Sequence, residues 1–244
     1  MAAALAILLP GARAEAADGA AFNAIGYSVD SRYFAFEQYG MQDGSGFPYW
    51  DIFILDLKAD EWIKDTPIHI VVEREDAEIT AARSMATEAA IPILRELELS
   101  VPPVLLAANP ATEVVADRNR ISFDRWYVSM GARPDGEGAD TIRHDLEVKT
   151  VELPNPADCP SDDGATYGFT LMIADRTMGT SRVLHEDKAI PASRGCPYDY
   201  DLAAVVAPAG YPVTDRLVAI IGVYAAGFEG ADHRFLAVPF TISD

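Results

Sequence analysis

Short apolar runs separated by turn residues dominate the hydrophobic pattern of the chain. Four consecutive apolar residues lie within Arg32–Glu37, and another four lie within Asp51–Leu57. Both runs are rich in aromatic or β-branched residues, which is typical of strands that are buried on both faces. The glycines and the proline between Gly40 and Trp50 disfavour a helix in the intervening segment. The pattern therefore predicts two buried strands joined by a long polar loop.

One segment follows a different period. From residue 76 to residue 97, apolar side chains recur every three or four positions and include Ala82, Ala86 and Ala89. This period predicts an amphipathic helix. Pro92 lies inside the pattern, so either the helix bends there or a second short helix begins.

The remaining apolar runs are short and β-rich up to the end of the chain. Many short strands with a single helical segment are typical of mainly β proteins. We therefore expect antiparallel sheets, arranged as a sandwich or as an irregular propeller, with one helical insertion near residues 76–97. No linker divides the chain, and half of its 244 residues are hydrophobic. A single domain over residues 15–244 is therefore expected.

Residues 1–14 have the composition of a signal peptide. The apolar stretch Ala2–Leu9 precedes a Pro-Gly pair, and Ala12-Arg13-Ala14 has the small residues of a cleavage site. Ala14-Glu15-Ala16 offers a second site. No apolar segment approaches the length needed to span a bilayer. We expect export to the periplasm or the exterior, and no membrane span.

Acidic side chains outnumber basic ones by 38 to 19, which gives a formal net charge of −19. Such a chain repels nucleic acid phosphates and anionic lipid surfaces at long range. Nucleic acid is therefore excluded as a partner class, and cationic partners are favoured.

The chain contains two cysteines, Cys159 and Cys196. In an oxidising compartment, a lone pair of cysteines most simply forms one disulfide. A zinc site would need further His or Cys ligands, which neither surrounding segment supplies. We therefore expect a Cys159–Cys196 disulfide.

Two long strings, residues 22–57 and residues 227–240, carry a resemblance to a known family. Through them, nearly the whole mature chain resembles a family of predicted secreted bacterial proteins classed as a domain of unknown function. The resemblance implies secretion and a shared fold, and it implies no reaction. The opening hairpin also resembles one repeat of a TolB-type β-propeller. Ser28, Asp30 and Arg32 match its Ser-x-Asp-Gly-Arg turn, whereas Ser31 stands in place of the glycine.

No catalytic motif is present in the sequence. There is no Gly-x-Ser-x-Gly, no phosphate loop and no dinucleotide fingerprint. The histidines lie far apart, without a metal-ligand spacing, at His69, His144, His185 and His233. A hydrolase would therefore need histidines and carboxylates that meet only in three dimensions.

Calcium is the one cofactor that the sequence allows. Asp135, Glu137 and Asp140 place oxygen ligands close together in a glycine-rich loop, and calcium prefers such ligands. A second acidic loop contains Asp158, Asp162 and Asp163. Neither loop matches the EF-hand pattern, and acidic glycine-rich loops of this kind are usually only turns.

The loop between the two opening strands is the best candidate for a binding surface. Its large aromatic side chains and its acidic centre are supplied by Tyr39, Asp43, Phe47, Tyr49 and Trp50. Aromatic side chains give contact area and glycines let the backbone adapt, which suits recognition. The alternative is that these aromatic rings fold back and cap the core.

Together these observations favour an exported, non-catalytic binding or envelope-associated accessory protein whose partner is an unknown protein or small molecule. The alternative from another class is an exported hydrolase with a site assembled from dispersed carboxylates and histidines. A deep pocket where such groups converge would favour the enzyme, and a shallow aromatic surface would favour the binding module.

Overall fold

The computed structural model describes residues 18–74, 76–110, 115–124, 143–159, 164–210, 216–227 and 230–242. Within these residues, strands form three antiparallel sheets, and one long helix packs on the first of them. The layers follow the order helix, helix-covered sheet, middle sheet and outer sheet. The mainly β prediction is confirmed, and the stack corresponds to its sandwich alternative. The propeller alternative is not confirmed.

The helix-covered sheet contains the hairpin that the sequence predicts. Its strands are β1 (Ala21–Ser28), β2 (Tyr33–Met41), β3 (Pro48–Asp56), β4 (Glu61–Trp62), β5 (Ile68–Val71) and β6 (Leu99–Val101). They lie in the order β4-β3-β2-β1-β6, and β5 also pairs with β3. Pairing between β2 and β3 continues as far as Met41 and Pro48. The hairpin loop is therefore confined to residues 42–47, which is shorter than the sequence suggests.

The predicted helix is present as α1, which spans Ile79–Glu96 without a break at Pro92. Its buried residues are Ala82, Ala86 and Ala90. These three alanines are spaced four residues apart, so they form one row along the helix. Their small side chains let α1 pack closely on the apolar face of β3. Ala90 takes the buried place that the sequence period assigned to Ala89.

The middle sheet is covered on both faces. Its strands are β7 (Pro103–Ala108), β12 (Pro197–Pro208), β13 (Arg216–Ala226) and β14 (Ala231–Thr241), in the order β14-β13-β12-β7. One face places Val206, Val218 and Ile220 against Phe34 and Phe36 of the helix-covered sheet. Burial on both sides explains why β12 and β13 read as continuous apolar runs in the sequence.

The outer sheet closes the stack. Its strands are β8 (Arg120–Asp124), β9 (Arg143–Leu153), β10 (Thr166–Asp175) and β11 (Thr180–Glu186), in the order β11-β10-β9-β8. Phe169, Leu171 and Ile173 alternate along β10 and pack against the middle sheet. A short 3-10 helix, Ala192–Arg194, precedes β12. In the parts of the chain described above, no helix is long and apolar enough to cross a membrane.

The turn between β1 and β2 explains the Ser-x-Asp-Ser-Arg string. Ser28 Oγ donates a hydrogen bond of 2.6 Å to Asp30 and accepts the backbone N–H of Arg32 and of Tyr33. Ser31 has a φ of 55°, which is the left-handed conformation that glycine adopts most easily. The local geometry is therefore the one that a glycine would favour, although the residue is a serine.

Candidate functional site

Two clefts open beside the middle sheet, one at its β7 edge and one at its β14 edge. The first, the β7 cleft, has a volume of about 770 Å³. Its apolar walls are formed by Phe22 and Ala24 of β1, Leu105 of β7, Val206 of β12 and Phe235 of β14. Leu105 is 58% exposed there. Pockets of this size with apolar walls are typical of ligand sites.

The β7 cleft exists because the helix-covered sheet is incomplete beside β1. β6 pairs with β1 only at Tyr27 and Ser28. Among the described residues, no other strand pairs with the outer edge of β1. In the part of the chain that the structure describes, nothing covers the faces of β7 and β12 next to that edge, and they form the floor of the cleft.

One end of the β7 cleft is polar. Asp201, Tyr224 and His233 lie there on adjacent strands of the middle sheet. Tyr224 Oη donates a hydrogen bond of 2.7 Å to Asp201 Oδ2. The rings of Tyr224 and His233 stack with their centroids 4.4 Å apart. Arg118 lies over the Tyr224 ring at 4.9 Å and completes the group.

Gly222 lies beneath this polar group, and its lack of a side chain leaves room for Asp201 and His233. A Cβ atom built on Gly222 would clash with Asp201 Oδ1 and would lie 2.6 Å from His233 Nε2. Both of these atoms are buried, and neither has a hydrogen-bond partner among the residues that the structure describes. Unsatisfied buried polar atoms are rare in folded proteins. These two atoms are therefore candidates for hydrogen bonds to a ligand that enters this end of the cleft.

The electrostatics keep His233 neutral near pH 7. Burial lowers the pKa of His233, and the nearby carboxylate of Asp201 opposes that effect only in part. Burial and the hydrogen bond to Asp201 raise the pKa of Tyr224. The polar end therefore combines a neutral imidazole, a protonated phenol and a carboxylate.

Backbone contacts hold Arg118 at the mouth of the cleft. Leu202 N donates a hydrogen bond of 2.8 Å to Arg118 O. Asn109 Nδ2 donates to the carbonyl oxygens of Asp117, Arg120 and Leu202. The Arg118 guanidinium then lies 3.3 Å from Asp199 and 3.6 Å from Asp201. Two carboxylates thus share one guanidinium.

The second cleft, the β14 cleft, has a volume of about 730 Å³ and is lined by histidines and carboxylates. His69 Nδ1 contacts Asp51 Oδ1 directly across the β3–β5 pair. Gln38 Nε2 donates to Asp51 Oδ2 at 3.0 Å, and Gln38 Oε1 accepts the backbone N–H of Phe235 at 2.8 Å. Asp51 is buried, whereas the His69 side chain is 62% exposed. This arrangement orients the imidazole of His69 toward solvent.

A second pair of one histidine and one aspartate lies on the opposite wall of the β14 cleft. His185 Nε2 lies 2.9 Å from Asp187 Oδ1, and Asp187 Oδ2 also accepts from Arg194 and from the backbone N–H of Phe169. Burial raises the pKa of Asp60, and its interaction with His185 opposes that effect. Groups with perturbed pKa values in a cleft are candidates for function, although structural ion pairs produce the same shifts.

The predicted binding residues are divided between the sheet and the loop. Tyr39 and Trp50 are cross-strand partners in β2 and β3 and stack with their ring centroids 4.0 Å apart. Trp50 is 4% exposed, and its Nε1 donates a hydrogen bond of 2.8 Å to Glu37. Arg83 of α1 lies over the Trp50 ring at 5.4 Å. This pair lies under the helix.

Tyr49, Phe47 and Asp43 occupy different environments from that pair. Tyr49 is 2% exposed, and its hydroxyl donates a hydrogen bond of 3.1 Å to Asp18 Oδ1. Arg234 also binds Asp18, at 2.6 Å. Phe47 and Asp43 are half-buried in the loop. The structure therefore does not bring the five predicted residues together as one exposed surface, and their role in binding stays a prediction.

The calcium candidates Asp135, Glu137 and Asp140 lie outside the described residues, as do Asp162 and Asp163. Within the part that is described, no group of three or more His, Cys, Asp or Glu side chains is placed to hold a metal ion. Cys159 and Cys196 are joined in the disulfide that the sequence predicts.

Sequence reasoning did not identify the polar end of the β7 cleft. Asp201, Gly222 and His233 belong to three strands and form no motif. One signal was present in the last strand, where His233, Phe235 and Ala237 alternate on one face of β14. A histidine on an otherwise apolar face marks a polar group that must find a partner inside the fold.

The fold and the clefts define a layered, mainly antiparallel β protein with a helical cover and a ligand-sized cleft at each edge of its middle sheet. The chain belongs to the family described as predicted secreted protein (DUF2259), whose model matches residues 35–241. No curated protein and no solved structure matches the chain. The family confirms the resemblance and the secreted character, and its description contains no activity.

Proposed function

We propose that this protein is an exported, non-catalytic binding or envelope-associated accessory protein that binds the apolar groups of a ligand in the β7 cleft. The observation that carries the proposal is the combination of apolar walls with Asp201 Oδ1 and His233 Nε2 at one end, two buried atoms without a hydrogen-bond partner among the described residues. Apolar walls supply affinity, and a few placed polar groups fix the orientation of a ligand.

Export is part of the same proposal. Removal of residues 1–14 or 1–16 by a signal peptidase would leave Asp18 in the mature chain. Asp18 accepts hydrogen bonds from Tyr49 and Arg234, so either cleavage preserves the attachment of this segment to β3 and β14. The mature protein would then act in the periplasm or outside the cell.

Titration with N-phenyl-1-naphthylamine, an apolar dye that fluoresces on entering apolar sites, tests the proposal. The wild-type protein should bind the dye saturably. Leu105→Asp places a charge in the β7 cleft and should weaken binding by at least about tenfold, because the dye would contact a carboxylate. Val183→Asp is the matched control, since Val183 is also exposed and lies on β11 of the outer sheet. Equal effects of the two variants, or no saturable binding, would contradict the proposal.

The β14 cleft supports a second candidate function, an exported hydrolase. Its specific observation is the chain of contacts from Phe235 N through Gln38 and Asp51 to His69. A buried carboxylate that orients an exposed imidazole can support general-base activation of water. Nitrophenyl butyrate, phosphate and glycoside substrates test this candidate. Turnover that His69→Ala abolishes would support hydrolysis. If none of the substrates is turned over, the hydrolase candidate is rejected and the binding function is kept.

No cofactor is required by either candidate. Calcium at Asp135, Glu137 and Asp140 stays a prediction from the sequence. Equilibrium dialysis against Ca²⁺, with Asp135→Asn as the comparison, would test it directly.

A further inference from the structure

The β7 cleft touches β1 and β7 in two different ways. It is lined by the consecutive residues Phe22, Asn23 and Ala24 of β1. Consecutive residues of a strand point to opposite faces, so only the backbone edge of β1 can present all three to one cleft. From β7, Pro103 and Leu105 line the cleft and Val104 between them does not. This alternation is the pattern of a strand that presents one face. A ligand in the cleft would therefore lie along the edge of β1 and on the face of β7.

The edge of β1 is open along most of its length. β1 pairs with β2 on one side from Ala21 to Tyr27. On the other side, β6 pairs only at Tyr27 and Ser28. Within the described residues, the outer edge of residues 21–26 has no strand partner, although the Val101 backbone lies close to it at Gly26. Unpaired N–H and C=O groups of an edge strand are a template for another strand.

The position beside this edge continues the line of β6. β6 occupies the same edge and leaves it at Pro102, where the chain crosses to β7 of the middle sheet. A segment placed beyond β6 would complete the helix-covered sheet, and its side chains on one face would cover Leu105. About six residues are needed to span residues 21–26, since strands rise about 3.3 Å per residue.

The charge of the site favours a basic occupant. At the polar end, Asp199 and Asp201 share the guanidinium of Arg118, so this group is net negative. The chain as a whole carries a formal charge of −19, which attracts cationic partners and repels anionic ones.

We propose that the occupant of the β7 cleft is an extended, basic peptide segment of another protein that pairs as a strand with the outer edge of β1. This inference rests on the proposed binding function of the cleft and names its partner class. Main-chain hydrogen bonds to β1 provide affinity. Alternate apolar side chains of the peptide, packed against Leu105 and Phe22, provide selectivity.

Three labelled heptapeptides test the inference by fluorescence anisotropy. The first alternates valine and lysine, the second alternates valine and glutamate, and the third is the lysine peptide with N-methylated valines. The lysine peptide should bind saturably, and the glutamate peptide should bind at least about tenfold more weakly because of like-charge repulsion. N-methylation keeps the side chains but removes backbone donors, so it should abolish binding. Leu105→Lys should weaken binding of the lysine peptide, whereas Val183→Lys should not.

Hydrogen exchange locates the contact. Saturation with the lysine peptide should slow amide exchange in residues 21–26, because pairing protects the edge of β1. Peptide binding that leaves exchange in residues 21–26 unchanged would overturn the strand-pairing inference. Dye binding without any peptide binding would also overturn it while leaving the proposed function intact. Dimerisation of the chain through the β1 edge, seen as a doubled mass in solution, would assign the edge to a second copy instead.

Discussion

Tyr27 Oη donates a hydrogen bond of 2.9 Å to the backbone carbonyl oxygen of Val206 and so joins the helix-covered sheet to the middle sheet. The ring is fully buried beside Phe34, at a centroid distance of 4.7 Å. Burial raises the pKa of Tyr27 well above its ordinary value, which keeps the phenol a donor. This bond lies in the apolar interface between the two sheets. Its acceptor residue, Val206, also lines the β7 cleft.

Tyr27→Phe should destabilise the protein by about 1–3 kcal/mol, because it leaves a buried carbonyl group without its partner. Urea unfolding measures the change. Tyr33→Phe is the matched control, since the Tyr33 ring is only half-buried beside Arg32. A loss of stability in the control as large as that in Tyr27→Phe would remove the hydrogen bond as the explanation.

Gly222→Ala should destabilise the protein by roughly 1–3 kcal/mol, the usual cost of overpacking. The new Cβ would clash with Asp201 Oδ1 and His233 Nε2. Gly19→Ala is the control, because nothing lies within 4 Å of a Cβ at that position. Thermal melts of the two variants should differ clearly. An unchanged melting temperature for Gly222→Ala would contradict the close packing of Asp201 and His233 against Gly222.

Tyr49→Ala and Trp50→Ala should each cost about 3–5 kcal/mol as cavities in the core, since both side chains are nearly fully buried. Phe47→Ala should cost less, about 1 kcal/mol, because Phe47 is half-buried in the loop. Thermal melts separate the three. If Phe47→Ala alone weakens capture of a partner while stability is kept, the predicted recognition role of the loop is supported at Phe47. Equal losses of stability in all three variants would indicate that the loop caps the core and would remove the evidence for recognition.

The elements of this fold could be predicted wherever one local period dominates. The helical period over residues 76–97 corresponds to α1 at Ile79–Glu96, and the apolar run Leu217–Tyr224 corresponds to β13 of the middle sheet. The bounds of the Gly40–Trp50 loop were wrong because glycines and prolines favour turns locally, whereas the pairing of β2 with β3 extends each strand into that segment.

The candidate site could not be predicted in the same way. Asp201 and His233 meet because β13 pairs with β12 on one side and with β14 on the other. That neighbourhood depends on strand order, which is set by how three sheets cover one another and not by any local pattern. The open edge of β1 has the same origin, since it depends on where β6 leaves the sheet.

The disulfide should contribute about 4 kcal/mol to stability by the chain-entropy model, for a sequence separation of 37 residues. It attaches the segment after β9 to the start of β12. Mass spectrometry of the protein purified without reductant should show a mass two hydrogens below that of the dithiol. Reductant should lower the melting temperature of the wild type and should not affect the Cys159→Ser/Cys196→Ser variant. Freely alkylated thiols in exported protein would refute the bond.

Stability should fall as the pH drops from about 5 to about 2, in part because of Asp187. Burial alone would raise the pKa of Asp187, but hydrogen bonds from His185, Arg194 and the Phe169 backbone outweigh it and lower the pKa from 3.8 to about 2. A carboxyl group with a depressed folded pKa stabilises the fold above its unfolded pKa, and this contribution is lost as the pH falls through the folded value. Asp187→Asn should therefore be less stable than the wild type at pH 5 and should lose less further stability by pH 2. Urea unfolding of both proteins at the two pH values measures this difference. Parallel losses in the wild type and the variant would show that other carboxyl groups carry the acid sensitivity.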